Sequence, residues 1–82
     1  MHKQHGAAEK AAQLALKYRS EQQKQDGVVL VWAGAVYGWK NTLRDPQHER
    51  PGAFAVDPAG RVWLAIGGCD QDGARSWEPV VA

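Results

Sequence analysis

The stretch Ala53 to Ile66, AFAVDPAGRVWLAI, constrains the fold more than any other part of the chain. Asp57-Pro58-Ala59-Gly60 carries the chemistry of a tight turn. Aspartate suits the first position, Pro58 presets φ at the second, and Gly60 accepts positive φ without a steric penalty. Two registers are open to the flanking strands. A two- or four-residue loop sets Val56 opposite Arg61 and puts Phe54 and Val56 on the face of Arg61 and Trp63. A three-residue loop, a type I turn closed by Gly60 as a bulge, pairs Asp57 with Arg61 instead. Phe54, Val56, Val62, Leu64 and Ile66 then share one face. A one-residue slip would move every side chain to the opposite face, so the hydrophobic pattern selects the three-residue loop. The second face then holds Ala53, Ala55, Asp57, Arg61, Trp63 and Ala65, small side chains around one large indole.

Upstream, residues 6–25 predict a helix. Ala7, Ala11, Leu14, Ala15 and Tyr18 recur at the spacing of one helical face, and good helix formers fill most of the rest. An alanine-rich face lets such a helix lie close to a sheet. Asp26-Gly27 is expected to end it, with Gly27 just past the C-cap, and residues 1–5 are expected to fray. Val28 to Ala33 is apolar at both parities and predicts a central strand covered on both sides. One helix covers only one side, so a folded-back loop or another protein must cover the other. Gly34-Ala35 marks a turn or bulge, after which Val36 to Lys40 either continues the strand bent or forms a short second one. Residues 41–51, NTLRDPQHERP, form a long polar loop punctuated by Pro46 and Pro51. Arg75 to Val81 reads as a last strand, placed at an edge because Pro79 has no N–H to donate.

The fold class is therefore α+β: one domain over 1–82, an N-terminal helix packed on a small antiparallel sheet of three to five strands in the order αββββ. Its expected core is Leu14, Ala15, Tyr18, Val29, Val31, Phe54, Val56, Val62, Leu64 and Ile66. A chain of 82 residues supports one such two-layer core. A net charge of +1 argues against a protein that coats nucleic acid. Charge is nevertheless uneven: residues 1–25 hold five Lys/Arg and two acids, residues 57–82 two Arg and four acids. The single cysteine, Cys69, excludes an internal disulfide and fits a reducing compartment, the cytoplasm. The N-terminus has no apolar signal region, and no stretch approaches a membrane span.

Motifs for catalysis and metal binding are weak. His2 and His5, even joined by His48 and Cys69, lack the two tight ligand pairs of a structural zinc site. Asp70-Gln71-Asp72-Gly73 lacks the remaining ligands of a calcium loop and reads as a turn. Nothing places His48 beside Cys69 to make a thiolate. No metal and no cofactor are expected, and an enzyme is the least favoured class. Two surface features remain. Lys3, Lys10, Lys17 and Lys24 fall at seven-residue steps and would form a stripe along the helix, either a solvated face or a contact for phosphates or an acidic partner. The second is an aromatic and arginine set, Trp32, Tyr37, Trp39, Trp63, Trp77, Arg61 and Arg75, within which Trp63, Arg61, Trp39, Arg75 and Trp77 have the composition of an interface hot spot or of a base-stacking platform. The alternative for Trp63 is that loop 41–51 folds across it.

The order Val62-Trp63-Leu64-Ala65, then Asp72-Gly73 and Arg75-Ser76-Trp77, resembles the C-terminal strands of some small anti-CRISPR proteins carried by phages and mobile elements. The likeness covers under a quarter of the chain. It implies a stoichiometric inhibitor that binds a host defence complex. The two-sided apolar strand, the open Trp63 face and the absence of catalytic motifs give the expectation of a non-enzymatic protein-binding module, a regulator or inhibitor, acting through the Trp/Arg face or self-associating through it as a homodimer. The alternative is a nucleic-acid-binding domain using Lys10, Lys17 and Lys24.

Overall fold

One helix and five strands follow one another along the chain: α1 (Lys3–Gln22), β1 (Val28–Trp32), β2 (Ala35–Lys40), β3 (Phe54–Val56), β4 (Val62–Ile66) and β5 (Ser76–Pro79), with a 3₁₀ turn at Pro46–His48. This is a computed structural model, and it describes residues 3–80. All strand pairs are antiparallel, in the order β2-β1-β3-β4-β5. The fold is α+β, with the fifth strand supplied by residues 35–40 as a separate element.

The β3–β4 hairpin has the register that the hydrophobic pattern selects. Phe54 faces Leu64, Ala55 faces Trp63 and Val56 faces Val62. The Asp57 N–H donates to the Arg61 carbonyl at 3.0 Å, and Gly60 closes the turn at φ 86°. The Asp57 carboxylate accepts from the Ala59 and Arg61 amides, which locks the loop.

The helix buries Ala8, Ala11 and Ala15 against Val29, Val31, Phe54, Val56 and Val62, with Leu14, Tyr18, Val36, Trp39, Leu64 and Val80 around the fringe. The first helical position on this face is Ala8, not Ala7, which is exposed. Ile66 lies at the sheet end and is half-buried. Three alanines bring the helix axis close to the sheet, so the β-branched side chains beneath supply the volume.

Both ends of the helix differ from expectation. Of the residues expected to fray, Met1 and His2 lie outside the described residues and the helix begins at Lys3. At the other end it stops at Gln22, not at residue 25. Gln23 takes φ 55°, and the Lys24 N–H donates to the Arg19 carbonyl at 3.0 Å. That is a Schellman closure with glutamine in the left-handed position usually given to glycine. Gly27 is left-handed too, at φ 73°, but it serves the entry to β1, where a Cβ would run into the Trp39 ring and the Lys40 carbonyl. Arg19 ties this end together: its guanidinium donates to the carbonyls of Asp26 (2.8 Å), Gly27 (2.7 Å) and Val56 (3.0 Å).

β1 ends at Trp32, one residue short of expectation, because Ala33 and Gly34 form a two-residue hairpin turn with φ 53° and 79°. Positive φ at both centres defines type I′, which favours Asn-Gly. Ala33 sits there at a steric cost of about 1 kcal/mol. Ala33→Asn should therefore raise stability by about 0.5–1 kcal/mol, read as an increase in Tm by thermal circular dichroism. Further along β2, the register shifts: Leu30 faces Gly38 but Val31 faces Val36. Tyr37 is the extra residue of a bulge. The last strand spans Ser76–Pro79 and lies at the sheet edge; Arg75 precedes it, and Val81 of the expected span lies outside the described residues.

A capped tryptophan face as the candidate functional site

Opposite the helix, Val28, Leu30 and Ala55 are buried under a second, smaller cluster completed by Leu43, Trp63 and Trp77. Alternation along β1 puts Val28 and Leu30 on this side, and antiparallel pairing adds Ala55 and Trp63. Trp77 comes from β5, paired with Ala65. Leu43 is the one contribution from loop 41–51, which folds back across the face. Loop 41–51 thus lies across the outer side of β1.

Several contacts fix the loop. Asp45, at φ 51°, reverses the chain and Pro46 starts the 3₁₀ turn. The Trp77 indole N–H donates to the Arg44 carbonyl at 3.3 Å. The Ala74 N–H donates to the Glu49 carbonyl at 2.8 Å, and Gly73 packs on the Gln47 backbone. The strongest anchor is a buried polar cluster. Glu49 is only 7% exposed. Its carboxylate receives the Lys40 ammonium at 2.7 Å and the Tyr37 hydroxyl on its other oxygen. Lys40 also donates to the carbonyls of Arg44 (3.0 Å) and Asp45 (3.2 Å). The β2 bulge makes this cluster possible, because it turns Tyr37 toward the loop while Val36 and Trp39 stay on the helix side. Burial, then the hydrogen bond to Glu49 and its charge, hold the Tyr37 hydroxyl protonated well above the usual tyrosine range. On the loop exterior, the hydrogen bond from Arg44 keeps the Asp45 carboxyl below its usual range.

The structure divides the expected site residues. Trp63 and Trp77 lie together around Leu43 and are half-buried. Arg61, two residues before Trp63, is exposed. Arg75 is exposed as well, but its stem lies against Gly67 at the far end of β4. Trp39 is on the opposite side of the sheet, with its indole N–H on the Asp26 carbonyl at 2.8 Å. Lys24 sits over the Trp39 ring, 4.2 Å from its centroid, beyond the end of the helix. Of the lysine stripe, Lys10 and Lys17 are exposed on one helical flank, and the Lys3 side chain lies outside the described residues. Cys69 is exposed and its thiol contacts Asp72 at 3.5 Å. Among the described residues no three His, Cys, Asp or Glu side chains gather as metal ligands; His2 lies outside them. No helix among them is long and apolar enough to cross a membrane.

Tyr37, a member of the aromatic set in the sequence, completes the face together with Leu43, Glu49 and Lys40, which no sequence motif marks. The one available signal is Leu43, a lone large apolar side chain within a polar loop. Comparison with known protein families, curated proteins and solved structures gives no match to this chain.

Proposed function

We propose that the chain is a small non-enzymatic protein-binding module, a regulator or stoichiometric inhibitor, whose partner seats on the Trp63–Trp77 ridge. The observation that carries this reading is the pairing of two half-buried tryptophans around Leu43 on a face that is already rigid. Large aromatics and arginine are the residues that dominate interface energetics, and Arg61 stands exposed two residues before Trp63 in the chain. Because the loop and sheet are fixed by hydrogen bonds before contact, little ordering entropy opposes association. The anti-CRISPR-like order of residues in the last strands favours an inhibitor carried by a phage or mobile element, working in the cytoplasm. A homodimer would use the same ridge.

The test is affinity capture from a lysate of the source organism, with and without nuclease, followed by measurement on the captured partner. Trp63→Ala is expected to weaken binding by about 2 kcal/mol or more with little salt dependence. That variant also loses core packing, so Arg61→Glu is the companion: exposed, it should leave Tm unchanged and weaken binding at least about tenfold. A partner held equally well by both variants overturns the ridge. Recovery that vanishes with nuclease and falls on Lys10→Glu and Lys17→Glu would replace this reading by nucleic-acid binding.

A further inference from the structure

On the flank of α1 that faces the β3–β4 turn, two shallow depressions lie end to end. The first, of about 270 Å³, is walled by Ala8, Val62, Pro79 and Val80. The second, of about 260 Å³, is walled by Ala15, Leu16, Val56 and Pro58. Ala12 and Gly60 belong to both and form the waist between them. With a methyl group on one side of the waist and no side chain on the other, a second helix can approach to the short end of the usual interaxial range, about 8 Å. Leu16 stands on the rim of the second depression and is 72% exposed. A lone exposed leucine is ordinary on a protein surface. This one has a counterpart: Ala8, Ala12 and Leu16 follow at intervals of four on one ridge of the helix, so a knob and an apolar hole lie on the same line.

The charges around the depressions are arranged with inverted signs. The first carries Glu9 on the helix side and Arg61 on the sheet side. The second carries Arg19 on the helix side and Asp57 on the sheet side. The ion pairs among the described residues, Lys40–Glu49 and Arg44–Asp45, use none of these four groups. Arg19 and Asp57 are held by backbone carbonyls and amides, neutral partners that leave their charges uncancelled.

A two-fold axis along the line from Ala12 to Gly60 exchanges the two depressions. It runs the two helices antiparallel and seats Leu16 of each copy in the first depression of the other. It also sets Glu9 against the partner's Arg19 and Asp57 against the partner's Arg61. Both charge contacts are then attractive, and the surface is complementary to itself, as an isologous contact requires. We infer that two copies of the chain pair through this helix flank. Unlike self-association through the tryptophan ridge, this pairing leaves that ridge open.

The contact spans about three helical turns and one β-turn, which places it at the small, weak end of specific interfaces. Sedimentation velocity of the intact chain between about 10 µM and about 1 mM should show a reversible dimer with a Kd of about 10–100 µM. Amide shifts on dilution should be largest at Leu16, Gly60, Val62 and Val80. Leu16→Glu should raise the Kd at least about tenfold, and because the side chain is exposed the dilute variant should keep the parent Tm. Glu9→Arg, which sets an arginine against the partner's Arg19, should raise the Kd at least about threefold at low salt. A chain that stays monomeric at about 1 mM, a dimer that Leu16→Glu leaves intact, or dilution shifts centred on Trp63 and Trp77 each overturns the proposal.

Discussion

Glu49→Ala should lower the unfolding free energy by about 3 kcal/mol, the range found when one partner of a buried ion pair is removed. The variant leaves the Lys40 ammonium, 12% exposed, with only backbone carbonyls, and takes the acceptor from Tyr37. Urea unfolding followed by tryptophan fluorescence would measure it. Emission from Trp63 and Trp77 should shift to the red at low urea, before the global transition, as the loop lifts off. A midpoint within about 0.5 kcal/mol of the parent, the usual range for surface changes, would mean that Leu43 alone holds the loop. The same cluster sets an alkaline limit. The folded protein holds the Tyr37 proton more tightly than the unfolded chain does, so stability is complete below the ordinary tyrosine pKa of about 10 and declines as pH rises past it. Glu49→Gln, which removes the charge, should flatten that decline.

The second large effect separates two roles for one glycine. Were Gly27 a helix cap, Gly27→Ala would cost the left-handed penalty alone, about 1–2 kcal/mol. The structure demands more. A Cβ at this position would overlap the Trp39 ring and the Lys40 carbonyl, and Trp39 is held by the Asp26 carbonyl and stacked under Lys24. The expected loss is about 3 kcal/mol or more, strain added to overpacking. Gln23→Gly supplies the contrast: glycine relieves the true cap and should stabilise by about 1 kcal/mol. Thermal unfolding of the two variants reads both. A loss near 1 kcal/mol for Gly27→Ala would show that Trp39 moves aside freely.

The hairpin from Ala53 to Ile66 was legible because two independent signals agree there, turn chemistry at Asp57-Pro58-Ala59-Gly60 and alternation on both sides. The two-sided burial of β1 and the edge position of β5 were legible for similar reasons, one from a run of apolar residues and one from Pro79. The helix end was not. Asp26-Gly27 carries the stronger local signal, yet the requirement for a residue without Cβ under Trp39 is a tertiary fact that spacing cannot reveal. The bulge at Tyr37 was equally hidden, since nothing in AVYGWK marks which residue is extra. On the candidate face, alternation in the sequence separates Trp63 from the helix side, but nothing in it decides whether a loop or a partner covers that indole. Glu49 explains why: a glutamate amid Gln47, His48 and Arg50 reads as solvent-facing, and only Lys40 and Tyr37, brought by the bulge, make its burial affordable. Trp39 was grouped with Trp63 on composition alone, and the same bulge sends it to the opposite side.

The two borders of the sheet have a bearing on how copies of this chain can meet. At β5, Val80 turns its N–H inward to Val62, and alternation from it along the register leaves Trp77 and Pro79 as the outward positions, the latter with nothing to donate. At β2, the bulge breaks the even spacing that a docking strand would need. Neither border can template a neighbour over more than a residue or two. Crowded molecules are therefore steered away from zipping into one continuous sheet, and any lasting contact between them has to be made broadside, through side chains rather than through backbone.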